Sequence, residues 1–284
     1  MQQRNQQLSQ QLSQQQTSAP GSGQIRIAQV GKVFASGDRE VVALQDITLD
    51  IPPGQFVCLL GPSGCGKSTL LNALAGFAPP TTGNITVDGK PIAGPGPDRG
   101  MVFQEYALFP WMTVEQNVAF GLEIKGLGKA DIVQRVHALL GTLGLVDFAS
   151  RFPKDLSGGM RQRVAIARVL ALDSPIMLMD EPFGALDALT RRNLQDELLR
   201  LWAELKKTII FVTHSIEEAI YLADRIVVMT YRPGTVKRDL VVKLPRLRDP
   251  AAPAFNDLKR ELGQLVMEEQ QRHHNDELRA AAVD

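Results

Sequence analysis

Gly61-Pro62-Ser63-Gly64-Cys65-Gly66-Lys67-Ser68 directly follows an apolar run, Gln55–Leu60, and leads into a helical pattern that stops near Gly76. The glycines let backbone N–H groups wrap around phosphate oxygens without Cβ clashes, and the first turn of the helix adds its dipole. Lys67 is expected to neutralise the β and γ phosphates of a nucleotide, and the Ser68 hydroxyl to bind Mg²⁺. Because the motif stands between a strand pattern and a helix pattern, we interpret it as a phosphate-binding loop.

The composition argues against several classes of function. The chain has 284 residues, enough for one large domain or two small ones, and Lys plus Arg equals Asp plus Glu at 31 each. With zero net charge and no basic stripe, we expect no nucleic-acid partner. The apolar runs are strand-length, the Gln-rich start does not resemble a secretion signal, and Cys58 and Cys65 do not make a disulfide framework. We therefore expect a soluble cytosolic chain, with any membrane role coming through another subunit.

Three segments can be distinguished along the chain. Residues 1–23 are rich in Gln and Ser and bury too little apolar surface to offset the entropy of ordering. We expect a disordered tail there, with a short partner-binding helix as the less favoured alternative. Residues 24–244 alternate β-rich runs with helical patterns, and the part from about 104 to 164 is helical. This pattern indicates an α/β nucleotide-binding core with an inserted helical subdomain.

The third segment, residues 245–284, is predicted to be a helical extension that packs on the core as structural cladding. Asn256 is the expected helix cap, and apolar residues follow it at helical spacing. Upstream, strands are predicted at Ile25–Val30, Val41–Leu49, Phe56–Leu60, Asn84–Val87, Gly100–Phe103, Ile176–Met179, Thr208–Thr213 and Arg225–Thr230.

Two carboxylates, Asp180 and Glu181, end the apolar run Ile176–Met179. A buried parallel strand delivers such acids at its C-terminal end, beside a phosphate loop. Asp180 then suits Mg²⁺ coordination through water, and Glu181 could orient or deprotonate the attacking water. By itself an apolar run ending in Asp-Glu could equally lead into a helix cap. The phosphate loop favours the metal and general-base roles.

Two further polar residues end predicted strands. His214 follows Thr208–Thr213 and precedes Ser215-Ile216-Glu217-Glu218, which has the form of a capping box. A lone histidine is usually a surface or core residue, but here it stands where a γ-phosphate should lie, so a phosphate-sensing hydrogen bond is favoured. Gln104 follows Gly100–Phe103. Without the other motifs it would be interpreted as a solvated strand end.

A second helix start has the features of an anion site. Ser157, Gly158 and Gly159 expose backbone N–H groups where a helical pattern opens, and Met160-Arg161-Gln162-Arg163 follows them. Most Ser-Gly-Gly sequences are simple turns. The chain nevertheless has only one phosphate loop to supply a nucleotide. We therefore expect the nucleotide of a partner chain to complete this second site.

Together these motifs resemble the ATPase subunits of ABC transporters, from about Ile25 to Leu244. The motifs that carry the resemblance are Gly61–Ser68, Gln104, Leu156–Arg163, Met179–Pro182, Gly184–Asp187 and His214. The resemblance implies the α/β fold class of a P-loop NTPase, with a RecA-like core, an antiparallel β part and an inserted helical subdomain. It also implies a head-to-tail dimer in which ATP lies between one subunit's phosphate loop and the other subunit's Leu156–Gly159 signature.

The resemblance also assigns roles to single residues. Asp187 corresponds to a contact across the dimer, and Gln104 to a ligand of Mg²⁺ and of the water. Phe34 takes the place of the aromatic residue that stacks on adenine, although a core role for Phe34 is the alternative. The resemblance also implies nucleotide binding by residues of the phosphate loop, of the start of the helix after it and of the signature: Gly61, Pro62, Ser63, Gly64, Cys65, Gly66, Lys67, Ser68, Thr69, Ser157, Gly158 and Gly159. The resemblance implies Ser68, Gln104 and Asp180 as metal ligands, Glu181, His214 and Gln104 as catalytic residues, and ATP with Mg²⁺ as cofactors.

Within the superfamily, the segments Pro95–Thr113 and Phe183–Arg191 resemble the nitrate, sulfonate and taurine importers. The resemblance implies a second ATPase subunit of the same or a related chain, a transmembrane permease that contacts Ala107–Trp111, and indirectly a solute-binding protein. It implies a peripheral location on the cytoplasmic face of the inner membrane. The alternative function is a non-transport ABC ATPase, which the compact helical segment argues against because it has no coiled-coil heptads.

Overall fold

The computed structural model describes residues 22–36 and 39–281. The tail predicted for residues 1–23 therefore lies outside the described residues, except for its last two. The chain forms two compact units. We call Gly23–Gly96 with Thr208–Asp284 the phosphate-loop unit and Pro97–Lys207 the helical unit.

The structure has strands in both units and a long helix near the C-terminus. The elements, in chain order, are β1 (Ile25–Ser36), β2 (Arg39–Ile51), β3 (Phe56–Leu60), α1 (Lys67–Ala75), β4 (Thr82–Val87), β5 (Lys90–Pro91), β6 (Arg99–Val102), α2 (Val114–Ile124), α3 (Lys129–Thr142), α4 (Gly158–Ala171), β7 (Ile176–Asp180), α5 (Ala188–Leu205), β8 (Thr208–Thr213), α6 (Ile216–Leu222), β9 (Arg225–Met229), β10 (Val236–Val241) and α7 (Pro253–Ala281). Short 3-10 turns lie at Val146–Phe148 and Pro153–Asp155.

The phosphate-loop unit combines antiparallel and parallel strands. An antiparallel sheet has the order β2-β1-β4-β5, and a second group has the order β10-β9-β3-β8. β3 runs parallel to β8 and β9, and both β3 and β8 are buried along their whole length, as expected for strands covered on two faces. Leu60 pairs with Thr213 at their carboxyl ends. The residues that follow β3 and β8 therefore emerge side by side.

The helical unit holds β6 and β7, which are parallel and pair Val102 with Met179. Three helices, α2, α3 and α4, lie between these strands in the chain, and α4 packs against both α2 and α3. The α4 face toward its neighbours is apolar and buried, including Val164, Ala167 and Leu170. The carboxyl ends of β6 and β7 again lie side by side and carry Gln104 and Asp180 to one edge of this strand pair.

One local expectation is wrong, and strand β10 was missed. The cap predicted at Asn256 lies inside α7, which begins at Pro253, and the Asn256 Nδ2 donates back to the carbonyls of Pro250 (3.2 Å) and Ala252 (3.1 Å). Proline is well suited to the first turn of a helix because it has no N–H to leave unpaired. Strand β10 was not predicted, because its central residues Lys237, Arg238 and Asp239 are charged and the strand lies at the edge of its group.

The long helix α7 buries a narrow apolar stripe, Phe255, Leu262 and Val266. It packs on α6, and Lys259 of α7 forms an ion pair with Glu217 of α6. Arg248, in the connection before α7, donates from Nη1 to the carbonyl of Ile220 (2.5 Å) in the last turn of α6 and to that of Ala223 (2.7 Å) just after this helix. Within the part of the chain that the structure describes, no helix is long and apolar enough to cross a membrane.

Candidate functional site

The predicted phosphate loop connects β3 to α1 and uses glycine where other residues would clash. Gly66 precedes the helix with φ +96°, and a Cβ there would lie 2.7 Å from Leu44 Cδ2 and 2.9 Å from the Ala43 carbonyl oxygen. Gly64 also has a positive φ of +78°. Since Gly66 has no side chain to cap α1, the first N–H groups of this helix face the loop without a side-chain acceptor at the cap position. This is the geometry of an anion site.

Lys67 holds its charge inside this loop. The side chain is buried, and Nζ donates to the carbonyls of Gly61 (2.8 Å) and Pro62 (2.9 Å). The Cys65 Sγ lies 3.8 Å from the same nitrogen. Burial raises the pKa of the Cys65 thiol, so the neutral thiol does not cancel the ammonium charge. The loop thus presents a buried positive charge whose acceptors are neutral.

His214 leaves β8 beside the start of the phosphate loop. It is exposed and follows Thr213, the residue that pairs with Leu60. The predicted capping box is half right: Ser215 Oγ accepts from the Glu218 N–H (3.3 Å), but the Glu218 carboxylate accepts from the Thr213 hydroxyl (2.6 Å). Thr213 Oγ1 in turn accepts from the Ser215 N–H (3.0 Å). This buried Thr213–Glu218 pair fixes the backbone on both sides of His214, and no sequence pattern predicts it.

Phe34 lies on β1, with 43% of its surface exposed. The alternative of a core role is therefore wrong. Lys32 Nζ stands 5.2 Å from the centre of its ring. An exposed aromatic face with a cation beside it suits stacking on a planar base. Thr69, Pro62 and Ser63 are also in the phosphate-loop unit, on α1 or in the loop itself.

In the helical unit, the carboxylates Asp180 and Glu181 lie at the end of β7. Both are half-exposed, and Glu181 has a positive φ of +42°. A left-handed backbone is uncommon for a glutamate and typically marks a functional position or a tight turn. Here the Glu181 carbonyl accepts from the Gly184 N–H (3.1 Å), which closes such a turn. These two acids do not lead directly into a helix cap; the next helix, α5, is capped by Asp187.

Gln104 is exposed just beyond β6, whose pairing with β7 brings it to the strand edge that also carries Asp180. Asp187 Oδ1 accepts from the Thr190 N–H (3.0 Å), and this hydrogen bond lowers the pKa of the Asp187 carboxyl. Asp187 is therefore ionised at neutral pH as well as being a helix cap. The structure brings Gln104, Asp180, Glu181 and Asp187 into one unit.

The predicted second anion site lies at the start of α4. Ser157 is exposed and caps this helix, its Oγ accepting from the Met160 N–H (3.3 Å). A Cβ on Gly158 would lie 3.2 Å from Tyr106 Oη, whereas one on the buried Gly159 would lie 2.6 Å from Thr190 Cγ2. Gly159 is thus required for packing against α5, and Ser157 and Gly158 form the accessible part of the motif.

The segment Ala107–Trp111 presents one exposed aromatic ring. Trp111 is 70% exposed, whereas Phe109 is half-buried, 4.7 Å from the Phe120 ring and 5.4 Å from the Arg168 guanidinium. Asn117, fully buried, accepts from the Phe109 N–H (2.9 Å) and donates to the Phe109 carbonyl (3.2 Å). Phe109 therefore packs locally, and Asn117, which sequence patterns did not single out, holds the segment in shape.

Comparison with known proteins identifies the family to which this chain belongs. A family profile described as ABC transporter matches residues 44–184. The nitrate import ATP-binding protein NrtD of Synechocystis sp. is 46% identical over 84% of this chain and 89% of its own length. The taurine import ATP-binding protein TauB of Roseobacter denitrificans is 53% identical over 72% of this chain and 76% of its own.

Among solved structures, a dimeric ATP-binding cassette, MJ0796, bound to ADP and Pi in a post-hydrolysis state, is 34% identical, with a TM-score of 0.69 over 78% of this chain and 100% of that one. The chain belongs to the ATP-binding proteins of the ABC transporter family. It is an ATPase with the P-loop fold, so the predicted fold class and enzymatic class are confirmed. The predicted resemblance to nitrate and taurine importers is also confirmed.

Proposed function

We propose that this chain is the ATP-hydrolysing motor subunit of an importer that takes up a small anion such as nitrate, sulfonate or taurine through a separate permease. The observation that carries the proposal is the presence of two helix starts suited to anions, one at Gly66 with a buried lysine and one at Ser157, in a chain with one phosphate loop. The names of the similar nitrate and taurine proteins support the class of transported anion.

ATP is bound on the phosphate loop, with Lys67 and the first N–H groups of α1 on its phosphates and Phe34 against adenine. The buried Lys67 ammonium supports this role, since its present acceptors are carbonyls and a polyphosphate oxygen would be a stronger one. A second subunit, the same chain or a related one, contributes Ser157, Gly158 and Asp187 to that nucleotide. The solved cassette dimer with ADP and Pi supports a dimeric arrangement.

Ser68, Asp180 and Gln104 are the residues that would hold Mg²⁺. Their hydroxyl, carboxylate and amide oxygens are the ligand types that this ion prefers, and two of them lie at one strand edge of the helical unit, so the donor set fits. When bound, Mg²⁺ would neutralise charge on the β and γ phosphates.

In hydrolysis, Glu181 orients a water molecule toward the γ-phosphorus and accepts its proton as the new P–O bond forms. The bond from the γ-phosphorus to the bridging oxygen breaks, and ADP carries away the electron pair. His214 donates a hydrogen bond to a γ-phosphate oxygen and so distinguishes ATP from ADP. The Thr213–Glu218 pair supports this role because it fixes the backbone on either side of the imidazole.

ATP binding is coupled to transport through the closed dimer, since ATP favours that state by contacts with both chains. The permease docks on the helical unit, near Ala107–Trp111. The exposed Trp111 supports this contact, as does an apolar groove of about 630 Å³ in the same unit, flanked by Val133 and Val146. The chain is peripheral, on the cytoplasmic face of the inner membrane. Its permease and a solute-binding protein select the transported anion.

The test is purification of the tagged full-length chain from its native membranes in mild detergent, followed by mass spectrometry of what accompanies it. We expect a multi-span permease in the eluate, together with either no other ATPase or one related ATPase. A Trp111→Glu variant should lose the permease, whereas Phe77→Glu, at another exposed aromatic in the phosphate-loop unit, should retain it. Recovery of soluble partners alone would support a non-transport ABC ATPase instead.

A further inference from the structure

The segment Tyr231–Gly234, which follows β9, lies directly against the phosphate loop. The Arg232 Nε donates to the Gly64 carbonyl (3.3 Å), and the Gly234 N–H donates to the Ala43 carbonyl (3.0 Å). A Cβ on Gly234 would lie 2.2 Å from the Cys65 carbonyl oxygen. Only glycine allows this approach, so the segment and the phosphate loop pack backbone against backbone.

The same segment is held from its other side by α7. The Tyr231 N–H donates to Glu269 Oε2 (2.9 Å), and the Tyr231 ring stacks on the His273 ring with centroids 3.8 Å apart and an angle of 19° between planes. Glu269 is 4% exposed, and its Oε1 accepts from Lys237 Nζ (2.8 Å). A buried carboxylate with two partners fixes its donors closely. The C-terminal helix is thus connected to the phosphate loop through Tyr231 and Arg232.

The Arg232 contact acts on the part of the loop that faces a ligand. In a trans peptide the C=O and the N–H point in opposite directions, so a donor that fixes the Gly64 carbonyl also fixes the Cys65 N–H on the opposite side. That N–H makes a long bond of 3.4 Å to the Pro62 carbonyl inside the loop. A stronger acceptor, such as a phosphate oxygen, can therefore replace it. Gly64 itself has φ +78° and would otherwise reach many conformations.

We propose that Arg232 is a positioning residue for ATP binding and that α7, through Glu269, holds it in place. The proposal rests on the proposed function of the phosphate loop as the ATP site. Loss of this connection leaves the loop with more conformations before ATP binds and with the same contacts afterwards. The effect therefore falls on ATP affinity and on KM, and much less on kcat.

The experiment compares two neighbouring glutamates of α7 in the full-length chain. Glu268 and Glu269 both pair with Lys237 at 2.8 Å, but the Tyr231 N–H donates to Glu269. We expect Glu269→Ala to raise KM for ATP and the Kd for a fluorescent ATP analogue about five-fold, because the lost bond from the Tyr231 N–H no longer orders the segment that carries Arg232, with kcat within about two-fold. Glu268→Ala should stay within about two-fold of wild type on all three, and Glu269→Gln, which keeps an acceptor oxygen, should restore most of the affinity.

Equal effects of Glu268→Ala and Glu269→Ala, or a fall in kcat without a change in Kd, would overturn the proposal. If Glu269→Ala does not fold, the proposal is tested at Arg232, which is exposed. Arg232→Ala should weaken ATP binding, and Arg232→Lys should recover part of the lost affinity. Lys67→Ala in the same assay distinguishes failure of the ATP site from failure of the α7 connection. If Lys67→Ala binds ATP normally, the phosphate loop is not the ATP site. If Lys67→Ala loses ATP binding but Glu269→Ala binds ATP normally, only the α7 connection is refuted.

Discussion

The phosphate loop and the start of α4 both lie at helix N-termini, but the backbone N–H groups of the two helix starts are arranged differently. At α1 the cap residue is Gly66, with φ +96° and no side chain, and a buried Lys67 stands within the loop. At α4 the cap residue is Ser157, with an extended backbone and an Oγ that already accepts from the Met160 N–H. The first site suits phosphates that are bound by one chain. The second is satisfied without a ligand and is exposed, which suits a surface that meets a nucleotide held by another chain.

This difference explains why the two motifs should tolerate different substitutions. A loop that wraps an anion needs left-handed glycines at fixed points: a Cβ on Gly66 would lie 2.9 Å from the Ala43 carbonyl oxygen, and Gly64 has a φ of +78° that other residues rarely adopt. A capped helix start needs a small polar residue and free space in front of it. Changes at the first site should therefore affect ATP binding by one chain, and changes at the second should affect the pairing of two chains.

The substitution Glu181→Gln should have the strongest effect, and it tests hydrolysis separately from nucleotide binding and from dimer formation. Glu181→Gln keeps the size of the side chain but removes the base, so steady-state ATPase activity should fall at least about 100-fold while ATP binding remains. The variant should accumulate as an ATP-bound dimer, measured by size-exclusion chromatography with light scattering. Asp187→Asn, which also neutralises a carboxylate of the helical unit but leaves the proposed base intact, is the control and should retain more turnover. Near-normal turnover by Glu181→Gln would remove the general-base assignment.

The next effect concerns the phosphate loop. Lys67→Ala removes the buried ammonium, and the loss of its charge-assisted bonds should weaken ATP binding by about ten- to a hundred-fold. Equilibrium titration with a fluorescent ATP analogue measures this change. Lys259→Ala, which removes a surface lysine paired with Glu217, is the matched control and should bind as wild type does. A Lys67→Ala chain with unchanged affinity would contradict the contrast between the two helix starts.

The third prediction concerns the start of α4. Ser157→Arg places a long cation at the exposed helix start, so ATP affinity of the isolated chain should stay within about two-fold while the ATP-driven dimer is lost by steric and electrostatic conflict. Ser157→Asn, which keeps a good helix cap, should retain the dimer. Analytical ultracentrifugation with ATP distinguishes the two. A tight dimer of Ser157→Arg would be incompatible with a nucleotide shared between chains.

The weakest effects are expected when glycines of the two motifs are replaced by alanine, and these effects concern thermal stability. Gly66→Ala puts a Cβ 2.9 Å from the Ala43 carbonyl oxygen at φ +96°, which costs at least about 1–2 kcal/mol in backbone strain alone. Gly158→Ala meets the Tyr106 hydroxyl at 3.2 Å, the end of a side chain, and lies in a helix where alanine is favoured. Thermal unfolding should show a lower Tm for Gly66→Ala than for Gly158→Ala. The reverse order would contradict the stated packing.

The sequence was sufficient for the parts of the fold with short-range patterns. β3 and β8 lie at their predicted residues because continuous buried parallel strands have unbroken apolar runs, and the phosphate loop follows from glycine spacing. Long-range contacts are different. Nothing in the pattern links Arg232 to Gly64, 168 residues away, because their contact depends on how separate elements pack. The Thr213–Glu218 bond is local, but the capping-box pattern had assigned the Glu218 carboxylate to the helix start instead. β10 is charged and lies at an edge, and Asn256 looked like a cap although Pro253 already starts α7.

We propose that one chain's phosphate loop and the α4 start of a second chain share one nucleotide. The most direct test mixes two defective chains, Lys67→Ala and Ser157→Arg, both carrying Glu181→Gln, and measures ATP-dependent dimers by light scattering against the Glu181→Gln chain. A shared site predicts that neither forms dimers alone but that the mixture does, because one of its two sites then combines an intact phosphate loop with an intact α4 start. A mixture no better than its components would contradict the shared site.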